Sequence, residues 1–351
     1  MQQKPVFGTF GIYRWFLACV VFFSHLGPKL LLFMGAPAVY CFFMLSGYVV
    51  SYIWDTRYRH LKGGLDKYFI NRALRIYPAY WFVAIISIPL VFRFPMQSYF
   101  VNSWMTAPED IFDWLKNITV FGMVGQNGTI VGHAFIPISW SLALEMQWWV
   151  CIPLVLRNPN YLKKFFILMA IIFAIILNYD IDVRNSFRIY FIPLAACRHF
   201  GLGMLLYLRK KAGWRDLSHG VGAVAILILI PYIVFNAYLY RNMHVADFYG
   251  LYFINAVVIY YLSGIDNRQL VAWLRNFDDF VGNLAYPIFL LNTFCSTVLV
   301  IMLPQIPYRS GEFFLIACIF VHILAFIIHR YVESPVMSTR LRVKEEVAAV
   351  L

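Results

Sequence analysis

The apolar residues of this chain fall in repeated blocks of about 18 to 22 residues, and the charged residues gather in the breaks between them. Such blocks match the length of helix needed to cross a bilayer. Hydropathy and helix breakers together predict ten helical spans, at about 10–28, 36–54, 72–92, 139–157, 162–179, 188–208, 218–240, 248–264, 280–303 and 312–331. The one long connection is 93–138. No second domain, low-complexity linker or repeat of fixed period is visible. The predicted fold is an all-α, polytopic transmembrane helical bundle of about ten spans, forming a single domain over 1–335 with a short tail at 336–351.

The distribution of basic residues orients this bundle. Of the 29 lysines and arginines, by far the larger share falls in the loops on the amino-terminal side of the spans. The positive-inside rule then predicts that both termini, and the tail, are cytoplasmic. The net charge of +12 is thereby accounted for as a topology signal, and a nucleic-acid partner is not expected. The connection 93–138 is predicted outside. It carries Glu109, Asp110 and Asp113 among Tyr99, Phe100, Trp104 and Trp114. Stacking on sugars, capping of a cavity and an interfacial aromatic belt are all compatible with that composition. Asn117-Ile118-Thr119 and Asn127-Gly128-Thr129 match the N-glycosylation pattern, which has meaning only in a eukaryotic secretory pathway.

Composition agrees with the lipid bilayer as surroundings. The 351 residues are 62% hydrophobic and 13% charged, too few charges to cover a soluble protein of this size. Arg14 interrupts what would be the apolar core of a signal peptide, so the first block is expected to be retained as a span. The six cysteines, Cys19, Cys41, Cys151, Cys197, Cys295 and Cys318, all fall in predicted spans and read as small apolar packing residues. No metal site is expected.

Ionisable residues inside such blocks are costly and tend to mark function. Arg14 and His25 lie on one face of the first span, because eleven steps of about 100° close three turns with about 20° to spare. They are separated by roughly 16 Å along the axis. Histidine is the side chain best matched to proton transfer near neutral pH. Arg72 and Arg75 share a face at the start of the third span, and their guanidinium forks suit phosphate. Glu145 is the one carboxylate placed well inside a span. It needs a basic partner, for which His25 and Arg198 are the candidates. Ser141 lies one turn before Glu145 on the same face. The Ser46-Gly47 step permits close helix contact or a local break. No dinucleotide fingerprint, P-loop, HExxH or nucleophile elbow is present.

Taken together, these segments resemble the acyltransferase-3 family of integral membrane acyltransferases. Arg14 to His25 is similar to its Arg-x10-His motif, and Phe42-Phe43-Met44-Leu45-Ser46-Gly47-Tyr48 to its F-x-LSG-F/Y element. Arg72-Ala73-Leu74-Arg75 matches RxxR, followed by Pro78 and Tyr80. Ser139-Trp140-Ser141-Leu142 with Glu145 resembles SWSL-x-x-E, and Tyr331-Val332-Glu333-Ser334-Pro335 resembles the closing E-x-P signature. In this order the motifs cover residues 14–335.

The resemblance implies an acyl-CoA-dependent O-acyltransferase of, most often, the bacterial inner (plasma) membrane. It would move an acetyl group from cytoplasmic acetyl-CoA to a hydroxyl of a cell-surface or exported carbohydrate or glycolipid. By motif, Arg72 and Arg75 would bind the CoA phosphates with help from Arg14. His25 would be the catalytic base and Glu145 its partner, with Tyr331 and Glu333 structural or near the cytoplasmic mouth. Supporting polar groups would come from Ser24, Ser46, Ser141 and Arg198. For the oxyanion, Ser24, Ser141 and a backbone amide near Gly47 remain equal candidates. Asn292 stands where members often have a histidine, so no role passes from that histidine to this chain. Some members carry an appended extracytoplasmic domain, and this chain is expected to act alone or with a separate extracytoplasmic partner protein. The residues alone also suit a transporter of an anionic or sugar-linked metabolite, or a non-catalytic assembly partner in an envelope-polymer pathway.

Overall fold

The computed structural model describes residues 9–28, 34–124, 132–179, 193–241 and 248–339, and within them the chain is helical with no strand. Its elements are α1 (Phe10–Leu26), α2 (Gly35–Ile53), α3 (Gly64–Arg93), α4 (Pro95–Val101), α5 (Ile111–Thr119), α6 (Ser139–Arg157), α7 (Pro159–Tyr179), α8 (Pro193–Lys211), α9 (His219–Arg241), α10 (Phe248–Gly264), α11 (Ala272–Met302) and α12 (Gly311–Ile328). Single π-turns, Trp54–Tyr58 and His329–Glu333, extend α2 and α12.

A helix occupies each of the ten stretches predicted to span, though residues 188–192 lie outside the described ones. By length and composition, four helices among the described residues are able to cross a membrane: Pro37–Tyr58, Gly64–Arg93, Ala272–Met302 and Gly311–Thr339. Phe10–Leu26, His219–Phe235 and Gly250–Gly264 are apolar but shorter. At 1.5 Å per residue, a helix the length of α1 covers about 26 Å, less than the ~30 Å hydrocarbon layer. Helix length by itself therefore does not yield the expected count of ten spans.

The core is built on two close crossings. α1 packs most extensively on α11, and α2 on α8. A Cβ on Gly11 would strike the Asp278 carbonyl, and one on Gly282 would strike the Gly11 Cα. Likewise Gly47 lies against the Phe200 backbone and Gly203 against the Met44 carbonyl. Small residues let helix backbones approach where no hydrophobic drive separates protein from lipid. The Ser46-Gly47 step is thus a helix crossing, not a break. α3 and α6 close the remaining side of this core, against α11 and α2.

The connection 93–138 is more structured than a loop. Asp110 caps α5 by accepting from the Asp113 amide (2.8 Å). At the other end of α5 the Asn117, Ile118 and Thr119 carbonyls have no partners within the helix. They accept from Tyr80, Trp81 and Tyr77 of α3, each at 2.8 Å. The Asp113 carboxyl is held below the usual carboxylate range. Burial alone would raise it, and the Lys116 ammonium (2.5 Å), the Glu109 amide (2.9 Å) and His133 outweigh that. The Asn117 sequon cannot accept a glycan in this fold. Its side chain is buried, and its amide nitrogen donates to the Asp113 and His133 carbonyls while its oxygen accepts from Phe135. The second sequon, at 127–129, lies outside the described residues. Of the aromatics in this connection, Tyr99, Phe100 and Trp114 are exposed, and Trp114 stacks on Phe92 (6.4 Å).

Candidate active site

Five helices converge on a cavity of about 130 Å³ at the Arg14 end of α1. Arg14 enters from α1 and Ser46 from α2. Arg72 and Arg75 come from α3, Ser141, Glu145 and Trp149 from α6, and Ala285, Tyr286 and Phe289 from α11. The antiparallel register of α3 and α6 sets the level, since the Tyr68 hydroxyl donates to the Trp149 carbonyl (3.2 Å) and so brings Arg72 beside Glu145. The three arginines that sequence spacing put on two different helices therefore face one space.

Arg72 is buried, yet no carboxylate among the described residues forms an ion pair with it. Its guanidinium lies over the rings of Trp149 (5.2 Å) and Tyr68 (5.5 Å), and one amino group has no hydrogen-bond partner. Aromatic faces hold a cation without neutralising it. The Arg14 Nε is likewise buried without a partner. Within electrostatic reach of Arg14 are Asp278, Glu145, Arg72 and Glu333. Glu333 also pairs with His329 (3.1 Å), so the closing E-x-P element folds back toward the cavity, while Tyr331 is exposed. The site gathers positive charge on planar donors in a low-dielectric setting, the arrangement that favours phosphate.

Glu145 does not meet His25. Its Oε1 accepts from the Ser46 hydroxyl (2.5 Å) and from the Trp149 indole (3.3 Å). The expected His25–Glu145 pair is therefore replaced by Ser46, Trp149 and the nearby Arg14, because Glu145 sits level with Arg72 and His25 lies about 16 Å further along α1. Nor does Arg198 serve Glu145. It lies over the Tyr40 ring (5.7 Å), in α8.

His25 ends α1 at the other extreme of the core. Its carbonyl accepts from Tyr308 (3.0 Å), and Arg309 reaches the neighbouring Ser24 carbonyl (3.3 Å). The Ser24 hydroxyl donates to the Val21 carbonyl (2.7 Å), so that oxygen is engaged in the helix itself. Ser141 donates to the Ile138 carbonyl (3.1 Å) while lining the cavity. The structure thus unites Arg14, Arg72, Arg75, Glu145, Ser46 and Ser141, and leaves His25, Ser24 and Arg198 outside that cavity. Among the described residues, no group of three or more His, Cys, Asp or Glu is placed to hold a metal ion.

The acyltransferase domain of the acyltransferase-3 family matches residues 8–330 of the chain. The chain belongs to the acyltransferase-3 family. As a member of it, the protein is an integral membrane acyltransferase. It is also similar to an uncharacterized protein of Haemophilus influenzae, 24% identical over 226 residues, which cover 60% of this chain and 90% of that relative. No solved structure matches it.

Three residues of this acyltransferase site escaped the sequence reading. Asp278 is buried in α11 and accepts from the Ile12 amide (2.7 Å), supplying the cap that α1 otherwise lacks. It fell just before the predicted start of that span at 280. Tyr68 likewise preceded the predicted start at 72. Trp149, one turn after Glu145, was legible as its same-face neighbour.

Proposed function

We propose that this acyltransferase moves an acetyl group from cytoplasmic acetyl-CoA to a hydroxyl of a cell-surface or exported carbohydrate or glycolipid. In this reading the protein sits in a bacterial inner membrane as a ten-span bundle with cytoplasmic termini, the shorter helices crossing with their polar flanks at the interfaces. The observation that carries the proposal is the arginine cluster, in which Arg14 and Arg72 line one cavity and each keeps a buried nitrogen without a hydrogen-bond partner. Arg75 lines the same space. Diphosphate oxygens satisfy such groups, and Glu145, anchored by Ser46 and Trp149, keeps the arginines in place when no anion is bound.

The acyl arm of the donor then runs outward along α1 and α11, past the Phe42–Phe289 pair (6.3 Å) toward His25. The interval of about 16 Å between Arg14 and His25 equals some five extended peptide lengths, a reach suited to an amide-linked arm. His25 takes the proton of the acceptor hydroxyl as its oxygen attacks the thioester carbonyl. The carbon–sulfur bond breaks, an ester carbon–oxygen bond forms, and the proton passes to the departing thiolate. The acceptor enters from the side of the Tyr308-Arg309 turn.

The test is thiol release from acetyl-CoA by detergent-purified protein, wild type beside His25→Ala, with a panel of glycan acceptors. Acceptor-dependent release that vanishes in His25→Ala supports the reading. Absence of acetyl-CoA binding overturns the donor assignment, and full activity in His25→Ala removes His25 from the chemistry.

A further inference from the structure

Asp278 carries a charge that its structural role does not require. α1 begins at Phe10 with no side-chain cap from Thr9, and the Asp278 carboxylate supplies the missing acceptor from α11. Its Oδ1 accepts from the Ile12 amide (2.7 Å), and the Gly11 amide is directed at the same group. Asparagine and serine cap helix ends as well as aspartate does. Burying a carboxylate, by contrast, is costly. Asp278 is nonetheless only 4% exposed.

The crossing of α1 on α11 fixes where this charge sits. The two helices run in the same direction, with Gly11 against Asp278 and Arg14 against Gly282. The Asp278 carboxyl carbon lies 2.9 Å from the point a Gly11 Cβ would occupy, and an Arg14 amino group lies 3.2 Å from that of a Gly282 Cβ. One helical turn, about 6 Å of rise, separates Asp278 from Gly282. Of the charges within electrostatic reach of Arg14, Asp278 acts most strongly, ahead of Glu145, Arg72 and Glu333. Arg14 belongs to the wall of the arginine cavity and Asp278 does not. The carboxylate therefore lowers the positive potential of the cavity without occupying its space. It also offsets the positive end of the α1 dipole. Asp279 beside it is exposed, where solvent screens its charge.

We propose that Asp278 sets how tightly the arginine cavity holds phosphate, weakening that hold so that the spent CoA leaves after transfer. This rests on the donor reading given above. CoA and acetyl-CoA carry the same diphosphate, so three arginines grip product as firmly as donor. Binding that is uniform in this way lowers KM without speeding the chemical step. A buried acid one turn from Arg14, tethered to the α1 backbone, moderates the grip on both forms alike. Asp278 acts through Arg14 and touches neither donor nor acceptor, which makes it a positioning residue and not a catalytic one.

The experiment titrates CoA, acetyl-CoA and inorganic diphosphate separately into the full-length protein in detergent, wild type beside Asp278→Asn, and reads Kd by calorimetry. The variant keeps the shape and the acceptor for the Ile12 amide and removes only the charge. A phosphate held by Arg14 lies about 10 Å from Asp278, from the 6 Å rise and the reach of one hydrogen bond. At an effective dielectric constant near 20, a unit charge at about that distance changes binding by about 5- to 20-fold. Asp278→Asn is therefore expected to lower the Kd of all three ligands by about that factor. Asp278→Ser, a smaller uncharged acceptor, is the second variant and should give the same tightening if the asparagine protein does not fold. An unchanged or raised Kd in either folded variant would overturn the proposal and leave Asp278 as a cap alone. Mere loosening of α1 moves Kd upward and the melting temperature downward, the opposite of the expected change in affinity. If the wild type binds diphosphate but neither form of CoA, the donor reading falls, and the effect of the charge is still read on diphosphate.

Discussion

Under the proposed donor reading, replacing Arg72 by glutamine isolates a group that binds without reacting. The guanidinium is buried over Trp149 and Tyr68 and carries an amino group with no hydrogen-bond partner. Two contributions change in the variant. The cation–π contacts of a desolvated arginine are worth about 2 kcal/mol, but removing the cation also ends the cost of burying it, so the stability change should stay near 1 kcal/mol. Donor binding has no such offset. One charge-assisted hydrogen bond to phosphate contributes about 1.5–3 kcal/mol, which converts to a KM increase of roughly 10- to 150-fold. Because this contact is the same in ground and transition states, kcat should change little. Arg72→Lys keeps the charge and loses the fork, and should fall between. Initial rates of thiol release against acetyl-CoA concentration measure both constants, with thermal unfolding in detergent as the control for folding. A KM within twofold of wild type, with kcat reduced, would refute the assignment of Arg72 to donor binding.

Other consequences follow from the packing and the electrostatics. Ser46→Ala removes the 2.5 Å hydrogen bond to Glu145 and should cost about 1.5–3 kcal/mol, whereas Ser46→Thr keeps the hydroxyl and should cost less; equal melting temperatures for the two variants would contradict this. Gly47→Val must force α2 off the Phe200 backbone and should abolish folded protein on size exclusion, while Gly213→Ala, with open space around it, should leave the elution profile unchanged apart from the local cost of its positive φ. Asp113 is depressed in the folded protein, so its stabilisation is complete above the unfolded carboxylate value near 3.9 and is lost as pH falls through the lower folded value. Proteolysis of the α5 region should therefore accelerate below about pH 4, and Asp113→Asn should flatten that dependence; an unchanged pH profile in the variant would sink the linkage.

Much of this protein is legible in its order of residues because membrane helices are written locally. Each apolar block must satisfy its own backbone hydrogen bonds, so its place in the chain is enough to locate a helix. The arginines of the site were legible for the same reason, being charges where charges are expensive. α4 and α5 were not. Their boundaries depend on Asp110 and on three aromatic donors from α3, none of which an apolar-block pattern weighs. Asp278 was missed because α11 begins at Ala272, before its apolar run does, and only the crossing at Gly11 and Gly282 buries that carboxylate.

What the sequence alone determined is the all-helical class, the family, and the rare ionisable residues that mark a function, since burial cost and helical period act within one segment. What only the tertiary structure decided is which of those residues meet. Arg72, Arg75 and Glu145 share one cavity because α3 and α6 run antiparallel in a register set by the Tyr68–Trp149 bond, and the crossing of α1 with α11 brings Arg14 to it. His25 stands apart from Glu145 because a single helix carries it about 16 Å beyond Arg14. Register and crossing angle arise from contacts between segments far apart in the chain, and no one segment contains them.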